Sequence, residues 1–315
     1  MSSQYVMAST RESYGRTLVE LGHDNPNIVV VGGDLNKSTF THLFGQKFPN
    51  RFFDLGPAEQ NIMGVAAGLA ASGKTPFVST FAVFGTGRPF DQIRINIAQS
   101  HLNVKIVCTH AGVSAGEDGM SAHGIEDLSL MCSLPGFTVI APSDSVETAQ
   151  AVRAAASTPG PFYIRLYRPP TPVVHTEQYN FTVGAVDIIR SGSDATIIST
   201  GALLATCLES AEDLGKLGLS CRVINMPTLK PTNEEAILKA ANDTGAIVTV
   251  EEHYVHGGLG SIVAQTLGKG CPTPLEMVAL TDYCESGNAQ KLLEKSQLTA
   301  ENIVETVKRV VARKG

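Results

Sequence analysis

The chain is constrained most by two successive alternations of short apolar runs and longer helical patterns, parted by a proline-rich break. In the first, short β-rich, mainly apolar runs at 28–31, 76–80, 104–108, 138–140 and 162–166 flank helical patterns at 12–21, 59–71, 90–99 and 145–156. Strands buried on both faces read as continuous apolar runs, and parallel neighbours need a crossover between them. The pattern therefore predicts an α/β fold with a parallel sheet flanked by helices. Arg168-Pro169-Pro170-Thr171-Pro172 then halts any helix or central strand, since proline has no N–H to donate. A polar stretch at 175–180 follows. The second alternation predicts strands at 195–199, 221–225, 247–250 and 277–280, and helices at 203–217, 233–242 and 259–267. A last helix starts after Thr299 as N-cap, with Ile303, Val304, Val307, Val310 and Val311 on its apolar face. These readings divide the chain into a domain at 1–168, a linker at 169–185 and a smaller α/β domain at 186–315.

At 315 residues the chain is long enough for two domains, taking roughly 150 residues for each. Apolar residues at 43% and charged residues at 17% exclude a disordered chain. A net charge of −6 argues against a broad nucleic-acid surface, so any anion site must be local, built from a few Arg, His and backbone donors. None of the six cysteines (108, 132, 207, 221, 271 and 284) forms a CxxC pair, which excludes a zinc ribbon or a thioredoxin-type motif. There is no secretory leader pattern, and no apolar run approaches the roughly 20 residues of a membrane span. The expectation is a cytoplasmic protein with reduced thiols and no membrane partner.

Five segments are candidates to carry chemistry. In the first, Phe53-Asp54-Leu55 ends in a Gly56-Pro57 turn, and Glu59 then stands at a helix start ahead of Gly64, Ala66, Ala67, Gly68, Ala70 and Ala71. Spacing alone makes Glu59 a first-turn acid facing the helix dipole. Phe81 and Phe84 follow a strand, where open α/β sheets place ligands. They can wall a flat ring or simply fill core. The loop from Thr109 to Gly119 carries His110, Glu117 and Asp118, and continues through Ala122 to His123. A plain surface loop has no need of a histidine at a strand mouth, so this loop reads as part of a site. Gly32-Gly33-Asp34-Leu35-Asn36-Lys37-Ser38 matches neither GxGxxG nor GxxxxGK[ST], and its plain reading is a turn with Ser38 capping the next helix. Glu251-Glu252-His253, ahead of Gly257, Gly258 and Gly260, is a further post-strand glycine turn that is open to a purely structural reading.

In this order, Ala58-Glu59-Gln60, Thr80-Phe81, Gly116-Glu117-Asp118-Gly119 and Glu251-Glu252-His253 resemble the C-terminal half of transketolase, in the version split into two polypeptides. The resemblance covers essentially the whole chain. It implies a pyrimidine-binding thiamine diphosphate domain followed by the transketolase C-terminal domain. It implies that Glu59 hydrogen-bonds the cofactor's pyrimidine N1′ and promotes the imino tautomer, which calls for a carboxyl in a water-poor site. It assigns Phe81, Phe84 and Leu35 to cofactor contact, and Asp118 to the donor sugar's C2 hydroxyl. Arg11, Ser38, His110 and Arg165 match its sugar-phosphate site, where two guanidinium forks, a hydroxyl and an imidazole suit a dianion.

One departure stands out. Family members usually carry a His-Gln pair after Glu-Asp-Gly, and here the positions read Ala122-His123. The family's second active-site histidine is thus absent at 122, which leaves His123 as the remaining catalytic candidate. No Gly-Asp-Gly occurs in the chain, so no metal ligand is expected in it. The resemblance places Mg²⁺ and the cofactor diphosphate on an N-terminal, diphosphate-binding partner subunit in an α2β2 assembly. The implied activity is transfer of a two-carbon ketol unit from a ketose phosphate to an aldose acceptor. The β subunit of a 2-oxo acid dehydrogenase first component shares the layout, yet has no reason to keep the sugar-phosphate set. A non-catalytic binding protein on the same scaffold rests only on Ala122.

Overall fold

The computed structural model describes residues 5–314, so the outer limits of the two sequence-defined domains, residues 1–4 and 315, lie outside the described residues. The strands are β1 (Met7–Ala8), β2 (Ile28–Gly32), β3 (Phe52–Asp54), β4 (Thr75–Ser79), β5 (Lys105–Cys108), β6 (Thr138–Ile140) and β7 (Phe162–Arg165), then β8 (Thr171–Pro172), β9 (Asp187–Arg190), β10 (Ala195–Ser199), β11 (Cys221–Asn225), β12 (Thr228–Lys230), β13 (Ile247–Tyr254) and β14 (Leu275–Leu280). The helices are α1 (Thr10–Asp24), α2 (His42–Lys47), α3 (Glu59–Ala71), α4 (Ala82–Thr86), α5 (Phe90–Gln92) and α6 (Asp127–Cys132), then α7 (Ser145–Ser157), α8 (Leu204–Lys216), α9 (Glu234–Thr244), α10 (Leu259–Gly270), α11 (Ala289–Lys295) and α12 (Ala300–Val311).

The first sheet has the order β12-β6-β7-β5-β4-β2-β3 and is parallel except for β12. Its central strands β2, β4, β5 and β7 are buried at every position, in keeping with their predominantly apolar sequences. Tyr14 and Leu18 of α1 pack with Ala151, Val152 and Ala155 of α7 over one face. Ile62, Met63 and Ala66 of α3 cover the other, beside Ile93 and Ile97. The pattern predicted at 90–99 is one helical segment of two kinds, α5 running on as a π-helix over Ile93–Ala98.

The second sheet has the order β14-β13-β10-β11-β9, with β9 antiparallel at its edge. The core beneath α3 continues into it through Ile198, Ile224, Ile237 and Val263. The halves are joined by backbone pairing as well as by packing. Thr228 pairs with Ile140, so β12 leaves the second half to extend the first sheet. The linker is also pinned at its middle, where Asp144 Oδ2 accepts from the main-chain N–H groups of Val174 and His175 at 2.9 Å each. The proline break itself forms β8, which pairs antiparallel with β1 in a separate two-stranded sheet. Among the described residues no helix is long and apolar enough to cross a membrane, and all six cysteines are free.

Candidate active site

The candidate residues gather at the carboxyl ends of β2, β4, β5 and β7. From β2 the chain crosses to β3 on one side and returns to β4 on the other, which opens a crevice at the strand ends. The turn after β2 is shaped by Asp54, whose carboxylate accepts from the Asp34 main-chain N–H at 3.0 Å and the Asn36 amide at 2.6 Å. That turn sets Leu35 and Ser38 on one groove of about 480 Å³. Ser38 does not cap α2; Thr41 holds the cap position, without a side-chain bond.

Beyond β4 and β5 the backbones stay joined: Thr109 N–H donates to Thr80 O at 3.0 Å and Ala82 N–H to Thr109 O at 2.7 Å. The join brings the Phe81 and His110 rings face to face, with centroids 3.6 Å apart and planes 18° apart. Phe84 lies 5.8 Å from Phe81 with the planes 15° apart, so that the three rings form an aromatic stack. Glu59 is buried at the first position of α3, and its Oε1 accepts from Arg88 Nη1 at 2.8 Å. The Arg88 guanidinium lies over the Phe84 ring at 4.1 Å. Thus Glu59, Arg88, Phe84, Phe81 and His110 form an unbroken chain of contacts. Sequence reasoning missed Arg88, since nothing in a strand–turn–helix pattern says which cation will reach the carboxylate.

His110 adopts a left-handed backbone, φ 59°, and is buried. Its Nδ1 lies 2.8 Å from Thr109 Oγ1. Burial, helped by the Arg11 and Arg168 guanidiniums, pushes its pKa down to about 3. The imidazole is therefore neutral, and we assign the Thr109 hydroxyl as donor to Nδ1, leaving a proton on Nε2 to offer. Arg11 uses one N–H of Nη1 on Ser38 O and one of Nη2 on Arg168 O, each at 2.6 Å. Its buried Nε has no partner, so three of its five donors remain uncommitted.

The expectation for Arg165 is corrected. This side chain is 1% exposed and surrounded by acceptors of its own protein. Nε meets Asp127 Oδ2 at 2.9 Å, Nη1 donates to the Tyr167 hydroxyl at 3.2 Å, and Nη2 donates to Gly124 O at 3.2 Å and Glu252 O at 2.8 Å. It ends a fully buried strand and is not free to bind an anion. Arg168, three residues on, lies past the end of β7 beside the loop that carries Asp118. It is 35% exposed, donates from Nη1 to Ala115 O at 2.7 Å, and holds Nε 3.8 Å from Asp118 Oδ2. The signal was available: ligands sit outside the strand ends of open α/β sheets, and Arg168 lies beyond β7 where Arg165 ends it.

The loop between Gly112 and Gly119 carries Glu117 and Asp118 on a 3-10 turn over Val113–Asp118. His123 lies sealed beneath it, with Nε2 donating to Gly116 O at 3.0 Å and a buried Nδ1 that has no partner. Its one hydrogen bond thus props the loop backbone. Ala122 is also buried. Among the described residues no group of three or more His, Cys, Asp or Glu side chains is placed to hold a metal ion.

Comparison with known proteins adds the family. Residues 6–173 match the transketolase pyrimidine binding domain, and residues 184–303 match the transketolase C-terminal domain. The chain is 41% identical to the 6-deoxy-6-sulfo-D-fructose transketolase subunit SqwH of Clostridium sp. (strain MSTE9), over 96% of this chain and 95% of that one. It is 38% identical to mouse transketolase, over 97% of this chain and 49% of that longer enzyme. Among solved structures, a split gene transketolase described as an inactive β4 tetramer superposes with TM-score 0.92 at 46% identity, covering 98% of this chain and 99% of that one.

Proposed function

Because this chain belongs to the transketolase family, we propose that it is the pyrimidine-binding subunit of a two-chain, cytoplasmic transketolase. With a diphosphate-binding partner it moves a two-carbon ketol unit from an anionic ketose to an aldose acceptor. One observation carries this reading. The contact chain from Glu59 through Arg88, Phe84 and Phe81 joins a buried carboxylate and an aromatic stack to His110, a neutral imidazole whose pKa burial and the nearby Arg11 and Arg168 charges push down.

These residues fit the pyrimidine end of thiamine diphosphate. A buried carboxylate and two stacked, nearly parallel phenylalanines make a dry pocket edge, and the unpartnered buried hydroxyl of Thr80 is left for a ligand to satisfy. When bound, thiamine diphosphate supplies the nucleophilic carbon of its thiazolium ring. Glu59 holds the proton shared with the pyrimidine nitrogen, in a site dry enough for a carboxyl to share it. Phe81, Phe84 and Leu35 exclude water from the ring. Nε2 of neutral His110 donates to the sugar, Asp118 accepts from its hydroxyl, and Arg11 with Arg168 grips the terminal anion. Gripping the remote anion holds the carbonyl in place for attack. Diphosphate and Mg²⁺ ligands are assigned to the partner, since this sequence has no Gly-Asp-Gly. The domain boundary is placed within 169–185 and the active assembly is taken as α2β2. The related split chain described as an inactive β4 tetramer supports self-association without activity when the partner is missing.

The terminal anion is a phosphate or a sulfonate, and the relative named for 6-deoxy-6-sulfofructose supports testing both. A methyl at Ala122, where the family usually carries histidine, removes one donor near the reacting carbons and points to a narrowed sugar range. The test is reconstitution of this chain with a diphosphate-domain subunit from the same genome, Mg²⁺ and thiamine diphosphate. Phosphorylated and sulfonated ketoses are then offered with an aldose phosphate. Ketol transfer only with both chains present is expected. Full activity from this chain alone refutes the partner requirement. Cofactor binding without transfer from any ketose refutes the reaction.

A further inference from the structure

The loop that carries Glu117 and Asp118 is held from both domains: His123 and Arg168 of the first bond to its Gly116 and Ala115 carbonyls, and the second domain takes hold of Ser114. Glu252, at the end of β13 and 2% exposed, receives Ser114 N–H on Oε1 at 2.6 Å and the Ser114 hydroxyl on Oε2 at 3.1 Å. Gly112, Gly116 and Gly119 all have left-handed backbones, with φ of 79°, 76° and 78°. Each faces the second domain closely. A Cβ would stand 2.1 Å from Glu252 Oε1 at Gly112, 3.2 Å from Gly287 O at Gly116, and 2.3 Å from Ser286 Oγ at Gly119. Gly287 N–H also donates to Gly116 O at 3.4 Å. Glycine takes these φ values without steric penalty, so contacts from the surroundings select this conformation among the many open to a three-glycine loop. On the second domain's side those contacts come from Glu252 and the segment just before α11. The first domain in turn fixes Glu252, through Arg165 Nη2 on its main-chain carbonyl at 2.8 Å.

We propose that the second domain moulds the sugar-contacting loop, with Glu252 as its positioning residue. The loop presents Asp118 directly, and its Ala115 carbonyl holds Arg168 at 2.7 Å. Displacing Ser114 therefore shifts an acid and a guanidinium together, while Glu59 and Phe84 stay where α3 and α4 put them. This rests on the reading of Asp118 and Arg168 as sugar contacts.

The test compares Glu252→Ala, Glu252→Gln and Ser114→Ala in the reconstituted two-subunit complex. Hydrogen exchange over 111–119 reads the loop, and steady-state kinetics read the donor ketose. Glu252→Ala is expected to speed Ser114 amide exchange about tenfold and raise donor KM about tenfold, with thiamine diphosphate affinity unchanged. Glutamine still accepts from the Ser114 N–H, so Glu252→Gln should restore both values. Ser114→Ala, which removes only the hydroxyl contact, should give a smaller change of about threefold. Unchanged exchange in both alanine variants overturns the proposal. So does faster exchange with an unaltered donor KM. A wild-type complex that turns over no ketose sinks the functional reading alone, because the exchange data still decide whether Glu252 holds the loop.

Discussion

Replacing Arg165 and Arg168 in turn separates a buried strut from a ligand-binding cation. In Arg165→Met the Asp127 carboxylate, fully buried, keeps only the Tyr163 hydroxyl at 2.6 Å. Breaking a buried pair in this way costs about 3–5 kcal/mol, because an uncompensated charge remains. Gly124 O, Glu252 O and the Tyr167 hydroxyl lose a donor as well. The total is a loss of roughly 4–6 kcal/mol, a large share of the 5–15 kcal/mol typical of a folded protein. Arg168→Ala removes a partly exposed side chain with one firm bond, to Ala115 O, so its stability cost should stay within about 1 kcal/mol. Its effect should fall on binding. Losing charge-assisted bonds worth about 1.5–3 kcal/mol raises KM for phosphorylated or sulfonated ketoses roughly 10–150-fold. KM for ketoses without a terminal anion should barely move. Denaturant titration of each variant and a KM series over both sugar classes read the two effects. An Arg165→Met chain that unfolds at the wild-type midpoint, with KM raised only for anionic sugars, would refute the reasoning and restore Arg165 as the anion ligand.

Three further outcomes are expected. Glu59→Gln should lower turnover in the reconstituted complex by about 100-fold or more while the complex still assembles; near-normal turnover excludes Glu59 as the proton-sharing group. His110 stays neutral down to about pH 3, whereas an unfolded histidine protonates near pH 6.5, so it stabilises the fold above pH 6.5 and that stability drains as pH falls towards 3. His110→Asn should flatten the loss by up to about 1.4 kcal/mol per pH unit between pH 6 and 4 in urea titrations, and parallel curves for the two proteins would contradict the assignment. Gly112→Ala forces a Cβ into a left-handed position 2.1 Å from Glu252 Oε1, and should cost about 2–4 kcal/mol by thermal melting; a melt within a degree of wild type argues against the contact.

Much of the fold was legible because its signals are local. The run 28–31 is apolar throughout, and 104–108 is apolar but for Lys105, whose buried ammonium donates to Thr158 O and Gly160 O; only a strand covered on both faces leaves so little room for polar residues. The capping residue Thr299 and the apolar positions from Ile303 to Val310 mark α12 on their own. The short elements were hidden. The three residues of β12 carry no period to detect, and their pairing with β6 is settled by a partner strand nearly ninety positions earlier in the chain. The site divided in the same way. Glu59, Phe81, Phe84, His110 and Asp118 could be named from motif order, because each follows a strand or opens a helix. Arg88 and the Glu252–Ser114 clamp could not, since both depend on which side chains meet across 29 and 138 residues.

By itself, then, the sequence determined two parallel α/β layers, the break between them and the turns that bear the site, for these follow from periodicity and from proline and glycine geometry. Tertiary structure alone decided which arginine serves as strut and which faces the crevice. Arg165 and Arg168 have the same chemistry and lie three residues apart. The placement of Asp127, Gly124 and Glu252 around the first fills its donors, whereas the second is partly exposed, with one hydrogen bond to Ala115 O and with Glu117 and Asp118 at 3.9 and 3.8 Å.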